Sequence, residues 1–292
     1  MRIDVHQHLW TAPLMEALAQ RETPPMARGA QVHTPGEAPV TIDLDGELPP
    51  ARRALLARDG VDRAIIAISS PIGIEALPRA QAQPLIDAHL DGVFAAGEGF
   101  MAWGPIALDG MAPADVDAVR ARGAVGVSMP AGALDSAAAV GAAIAVLDRA
   151  CTRALPLFVH PGPGLTDRPT DPEPGEPPWW PAMTSYVSQM QAAWLAIETF
   201  ARPALPSLRV VYAMLAGCAP LLGERLAARS GAELAPSPLS FYDTSSFGAI
   251  AIDAMAGAVG TMQLLHGTDR PVVEPARHGR ERELAEHAAW LG

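Results

Sequence analysis

Arg2-Ile3-Asp4-Val5-His6-Gln7-His8-Leu9 opens the chain, and the rest of the sequence is read outward from it. It is a short apolar run that ends in two histidines one residue apart. In a strand, residues i and i+2 point to the same side. His6 and His8 therefore converge on one point at the end of a strand, and they are read as candidate metal ligands. A lone histidine is more often structural; a pair at strand spacing closing an apolar run is harder to dismiss.

Similar runs recur along the chain. Eight candidate strands are placed at 2–8, 61–69, 101–108, 124–129, 157–160, 209–215, 240–244 and 263–267. Helix-like patterns at 51–58, 114–122, 136–149, 220–230, 250–257 and 280–290 lie between or beyond them. Such alternation is the signature of βα units and a parallel sheet. The expected fold is a (β/α)8 TIM barrel, one domain over residues 1–292 with long loops on its C-terminal face. A doubly wound open sheet is the alternative, weakened because no Gly-rich dinucleotide fingerprint follows the first strand. A length of 292 residues suits a barrel. Two segments, 20–50 and 161–181, are rich in Pro or Gly and follow the first and fifth strands. They are read as walls or lids over a pocket, the alternative being surface insertions.

Composition narrows the functions. The net charge is −11 with no basic block. That argues against nucleic acid and anionic membrane as partners. No leader-like or membrane-length apolar run is seen, so a soluble, cytoplasmic protein is expected. Cys151 and Cys218 are far apart, as buried thiols would be, and imply neither a disulfide framework nor a thiolate metal site. All 21 basic residues are Arg. A lysine Schiff base, or a metal pair bridged by a modified lysine, is thereby excluded.

His160 closes the run Leu157-Phe158-Val159-His160, and Asp269 follows the strand that ends in His266-Gly267-Thr268. Three imidazoles and one carboxylate suit a single divalent ion, Zn(II) first, with Mn(II) or Fe(II) also compatible. A metal so held lowers the pKa of water towards neutrality. Asp269 would both touch it and accept a proton, as the catalytic residue. Trp10, Phe100, Trp179 and Trp180 are expected as pocket walls that bind substrate. Asp243 is read either as a support for a ligand imidazole or as part of a helix N-cap region. Among the other histidines, His33 is placed near the pocket and His266 away from the Asp269 face. His89, His278 and His287 are placed on the surface.

His-x-His on the first strand, His on the fifth and Gly267-Thr268-Asp269-Arg270-Pro271 on the eighth resemble the amidohydrolase superfamily. The branch that includes aminocarboxymuconate semialdehyde decarboxylase, the amidohydrolase-2 group, is the nearest match. Val210-Val211-Tyr212-Ala213-Met214-Leu215-Ala216-Gly217 and Phe241-Tyr242-Asp243-Thr244-Ser245-Ser246 also resemble that group's sixth and seventh strands, so the likeness spans nearly the whole chain. It implies a mononuclear metal enzyme, often dimeric. Two positions depart from the pattern. Met214 stands where the group usually has a histidine acting as acid, base or ligand, and it would line the substrate pocket instead. Arg270 stands where an aromatic is more usual. It would either bind an anionic substrate group or form a salt bridge outside the barrel.

The first expectation is a metal-dependent hydrolase of a small amide, lactone or ester. The alternative is a non-oxidative decarboxylase of an aromatic or enoic acid. The third is a binding barrel without turnover, which Met214 supports. A small-molecule substrate is expected in all three.

Overall fold

The structure, a computed structural model, describes residues 1–167, 173 and 175–292. Residues 168–172 and 174 fall in the expected loop 161–181, so that part of the reading lies outside the described residues.

Eight parallel strands form the barrel in chain order. They are β1 (Ile3–Gln7), β5 (Arg63–Ile66), β6 (Phe100–Pro105), β7 (Gly126–Pro130), β8 (Leu157–His160), β9 (Val210–Tyr212), β10 (Ser240–Asp243) and β11 (Leu264–Leu265). The last strand returns to the first. Val5 N–H donates to His266 C=O at 2.9 Å, and Asp269 N–H donates to His6 C=O at 2.8 Å. The run after β11 is thus tied to β1, and Asp269 is fixed beside His6. The strands are covered on both faces, which explains their unbroken apolar runs.

The interior is packed, as a barrel's is. Trp103 and Phe158 stack at 5.0 Å and 7° between planes, and His6 lies 5.2 Å from the Phe158 ring. Trp103 Nε1–H donates to Val5 C=O at 2.8 Å, so the plug beneath the first strand is satisfied as well as apolar. Outside, helix Ala137–Thr152 starts at Ser136, whose hydroxyl accepts Ala139 N–H, and carries Arg149 in its last turn. Both features suit helix ends. Helix Pro113–Ala121 lies close on β6 at Gly104, where a Cβ would come within 2.6 Å of Val119.

The segment 20–50 is not irregular. It holds a three-stranded antiparallel sheet of β2 (Met26–Arg28), β3 (Gln31–His33) and β4 (Val40–Thr41). Strands of two or three residues are too short to show alternation in sequence. Helices Ala12–Ala19, Arg79–Ala96 and Ser185–Ala196 were also not expected. Pro84 inside the second of them reads as a helix breaker, yet the helix runs through it.

That helix overturns the surface placement of His89, which is buried at 1% exposure with neither ring nitrogen hydrogen-bonded among the described residues. Burial, then the charges of His8 and Arg122, lowers its pKa to about 3. The folded state holds this histidine neutral, while the unfolded chain protonates near 6.5. Its contribution is therefore complete above pH 6.5 and is lost as pH falls towards 3, at about 1.4 kcal/mol per pH unit. His89→Leu is expected to flatten the loss of urea stability between pH 7 and pH 5, relative to the parent. Equal slopes in the two proteins would exclude His89 as the cause.

No described helix is long and apolar enough to cross a membrane.

Candidate metal centre

The strand ends deliver the expected residues to one place. His6 and His8 come from the end of β1, His160 from the end of β8, and Asp269 from just beyond β11. Their four ligand atoms lie within 4.8 Å of one another. His6 Nε2 is 3.3 Å from His8 Nε2, and Asp269 Oδ1 is 3.0 Å from His8 Nε2 and 3.5 Å from His6 Nε2.

Hydrogen bonds on the far side of each ring fix what faces inward. His8 Nδ1 lies 2.9 Å from Ala67 C=O, and His160 Nδ1 lies 2.8 Å from Pro161 C=O. A carbonyl only accepts, so both Nδ1 atoms carry the proton and donate. His6 Nδ1 donates likewise to the Asp243 carboxylate at 2.8 Å. In the neutral rings, all three Nε2 atoms then turn lone pairs towards the same point, together with a carboxylate oxygen. Lone pairs converging in this way need positive charge between them, a shared proton or a metal ion.

The charges agree. Burial works against a charged His6, but Asp243, Asp269 and Asp4 outweigh it and raise the imidazole to about 9. Burial and the charges of His6 and His8 push His160 the other way, well below its ordinary value. Burial would raise Asp269, yet His6, His8 and His160 hold its carboxyl down at about 2. The buried carboxylates thus call for positive charge at this spot, and the residues present fit a single divalent ion.

Asp243 supports the site and is not a helix N-cap. Its Oδ1 accepts Ser245 N–H at 2.8 Å and Met214 N–H at 3.3 Å, while Oδ2 holds His6. The next helix begins at Ala249 with Gly248 as its cap. Partners that orient a ligand imidazole typically contribute about 10–100-fold in metal affinity. Asp243→Asn is expected to weaken metal binding by about that factor, read by competition with a chromophoric chelator; an unchanged affinity would mean that Asp243 does not tune His6.

The cavity above the cluster has a volume of about 540 Å3, and Trp10, Met214, His8, His160 and Asp269 line it. Met214 opens an unusual segment. From Met214 to Cys218, φ lies between 51° and 60°, a left-handed turn in which only Gly217 lacks a side chain. Each non-glycine residue in this region costs about 1–2 kcal/mol. The turn is pinned by Gln191, whose side-chain N–H donates to Gly217 C=O at 2.8 Å. It ends the sixth barrel strand at Tyr212, earlier than expected.

Other expected residues fall elsewhere. Arg270 does not reach the cavity; it is buried in ion pairs with Asp59 at 3.0 Å and Glu274 at 2.5 Å. Asp269 lies beyond β11 with a left-handed backbone, φ 59°, and the chain turns Arg270 outward after it. Trp180 borders a second cavity, and Trp179, 58% exposed, borders neither. Phe100 begins β6, at the opposite end of the barrel from the cluster. His33 sits between two cavity residues, Val32 and Thr34, and is not itself in the wall. His266 is buried beside Arg270, away from the Asp269 face.

Sequence reading missed Ser245, Tyr186 and Glu37. Ser245 Oγ lies 3.1 Å from His6 Nδ1. Its place in Asp243-Thr244-Ser245-Ser246 was the available signal. Tyr186 and Glu37 line the cavity and are hydrogen-bonded to each other. Neither carries a sequence signature.

No family model matches the chain, and no curated protein matches it in sequence. Solved structures do share its fold. An amidohydrolase II superposes with a TM-score of 0.74 at 14% identity, covering 100% of this chain and 99% of the other. The 5-carboxyvanillate decarboxylase of Sphingomonas paucimobilis gives 0.66 at 16%, covering 99% and 98%. The 5-carboxyvanillate decarboxylase of Novosphingobium aromaticivorans, solved with manganese and 4-hydroxy-3-methoxy-5-nitrobenzoic acid, gives 0.62 at 17%, covering 98% and 88%.

Proposed function

We propose that this chain is a metal-dependent, non-oxidative decarboxylase of a small aromatic or enoic carboxylic acid, built on the amidohydrolase barrel. This reverses the order of the two enzyme readings drawn from sequence. The observation that carries it is the pairing of a cation-ready cluster with Asp269, the one carboxylate within that cluster, at the floor of a largely apolar cavity. Met214 occupies the position where a second carrier would stand. Hydrolysis moves a proton off the attacking water and another onto the leaving group, whereas decarboxylation needs one proton placed on carbon. The two decarboxylases of the same fold, one of them solved with manganese and a substituted benzoic acid, support the reading.

A divalent ion held in the cluster would supply Lewis acidity towards the substrate's acid group. His6, His8 and His160 would hold it, kept in the right tautomer by Asp243, Ala67 C=O and Pro161 C=O. Zn2+ and Mn2+ are the two ions to try, the second because of the related structure. Asp269 is a carboxylate at neutral pH, so each turnover begins with a proton taken up from the substrate hydroxyl or from solvent. Asp269 then delivers that proton to the carbon bearing the carboxylate. The C–C bond breaks, its electron pair stays on that carbon, and CO2 leaves. The balance is one acid and one proton in, one shortened molecule and one CO2 out. The apolar walls exclude water that would compete for the proton.

Hydrolysis keeps one supporting observation, since Asp269 is ionised at neutral pH and so free to accept a proton from water. The test is a panel of hydroxybenzoates, enoic acids, lactones and amides offered to Zn2+- and Mn2+-loaded protein. CO2 release from an acid, with one proton taken up per turnover, is expected. Ring opening of a lactone without any CO2 from the acids would return hydrolysis to first place.

A further inference from the structure

We propose that the site takes a substrate with a single anionic group, the one turned to the ligand cluster, the remainder being an uncharged and largely apolar body. This rests on the decarboxylase reading for the identity of that group, a carboxylate.

The cavity walls carry it. Val32, Val40 and Ile42 of the antiparallel insertion line the cavity together with Leu55, Ile72 and Val272. Among the described residues of the wall there is no arginine, and the chain has no lysine. The ionisable wall groups apart from the ligands and the Tyr186 phenol are Glu37, Asp43 and Glu47. Glu47 is matched, since Arg52 and the Trp10 N–H both donate to it. Glu37 has no cation within ion-pair distance among the described residues; its hydrogen-bond partner is the Tyr186 hydroxyl.

Beyond Glu37 and Tyr186, which border both spaces, a second cavity of about 540 Å3 continues the pattern. Asp135 and Glu176 line it, again without an arginine among the described residues. The one arginine placed near the ligands by sequence, Arg270, is turned outward into Asp59 and Glu274. A second carboxylate or a phosphate on the substrate would lose its water against Glu37 with no guanidinium among the described wall residues to receive it. A distal hydroxyl or amine N–H has an acceptor there.

The test uses the full chain loaded with Mn2+ and two ring-matched probes, 2-hydroxybenzoate and its 5-carboxy derivative, with binding read by calorimetry at physiological ionic strength. The monoacid is expected to bind at least about tenfold tighter. Glu37→Gln is expected to narrow that gap severalfold, because it removes the wall charge and keeps the shape. A diacid that binds as tightly as the monoacid, or a monoacid that fails to bind, overturns the proposal. A gap unchanged in Glu37→Gln overturns the assignment to Glu37. CO2 measured in the same samples tests the reaction separately: selective binding without CO2 keeps the charge preference and removes decarboxylation.

Discussion

His6→Ala protein, purified beside the parent after growth with added zinc or manganese, is expected to hold less than about a tenth of the metal and to lose turnover with it. His6 is the buried centre of the cluster, in contact with Asp243, Ser245, His8 and Asp269. Its removal takes one inward lone pair and also leaves the Asp243 carboxylate buried without its imidazole. Asp269→Asn separates holding from proton transfer. The amide keeps an oxygen for the ion but carries no transferable proton, so activity should fall by about 10^2–10^4-fold with much of the metal retained. Plasma mass spectrometry on parent and variants decides the first point. About one ion per chain in the parent, lost in His6→Ala, is the expected result. A parent that stays metal-free under metal-rich growth would remove the basis for a metal enzyme. An Asp269→Asn variant with metal and full activity would show that another group moves the proton.

Replacing Arg52 with methionine is expected to destabilise the fold by about 3–5 kcal/mol, the range for breaking a buried ion pair from one side. Arg52 is 1% exposed and donates to Glu47 at 2.8 Å and to the Gln7 side chain at 2.7 Å. Gln7 donates on to Asp4, which also accepts the Thr268 hydroxyl. The network therefore ties the insertion to β1 and to the segment that carries Asp269. Arg52→Met leaves the Glu47 carboxylate buried with only the Trp10 N–H. Urea unfolding of Arg52→Met and of Arg52→Met/Glu47→Gln reads the effect. Recovery of most of the loss in the double variant is expected, because the stranded charge is then gone. A loss below about 1 kcal/mol in the single variant would mean that water reaches Glu47 and screens it as at a surface.

The ligand set was legible in sequence for a physical reason. In a parallel barrel each strand ends at the same face, so a histidine or aspartate closing an apolar run is delivered there whatever follows it. His6, His8, His160 and Asp269 all have that form. Arg270 was read either as an anion binder or as an outward salt bridge, and the ion pairs with Asp59 and Glu274 bear out the second. The walls were not legible. Val32, Glu37 and Ile42 come from strands of two or three residues and their turns, and Tyr186 from a helix that follows a Pro-rich stretch. His89 was read at the surface as a polar residue of a helical segment, and it lies instead on the buried face of the helix Arg79–Ala96. Trp179 and Trp180 were taken as pocket walls because large aromatics usually pack on something. The first is mostly exposed, and the second borders the outer cavity rather than the ligand cluster.

The antiparallel insertion has a consequence for how such a protein can change. The groups that would do chemistry stand on barrel strand ends far apart in the chain, whereas one side of the cavity comes from residues 32–43, a single contiguous stretch. Chemistry and recognition are thus written in separable parts of the sequence. Exchanging that one stretch for another of similar length would redraw what the cavity accepts while leaving every metal ligand and its tautomer untouched. The barrel then behaves as a fixed reactor with a replaceable wall, and a graft of this segment is the natural unit for transferring specificity between proteins of this fold.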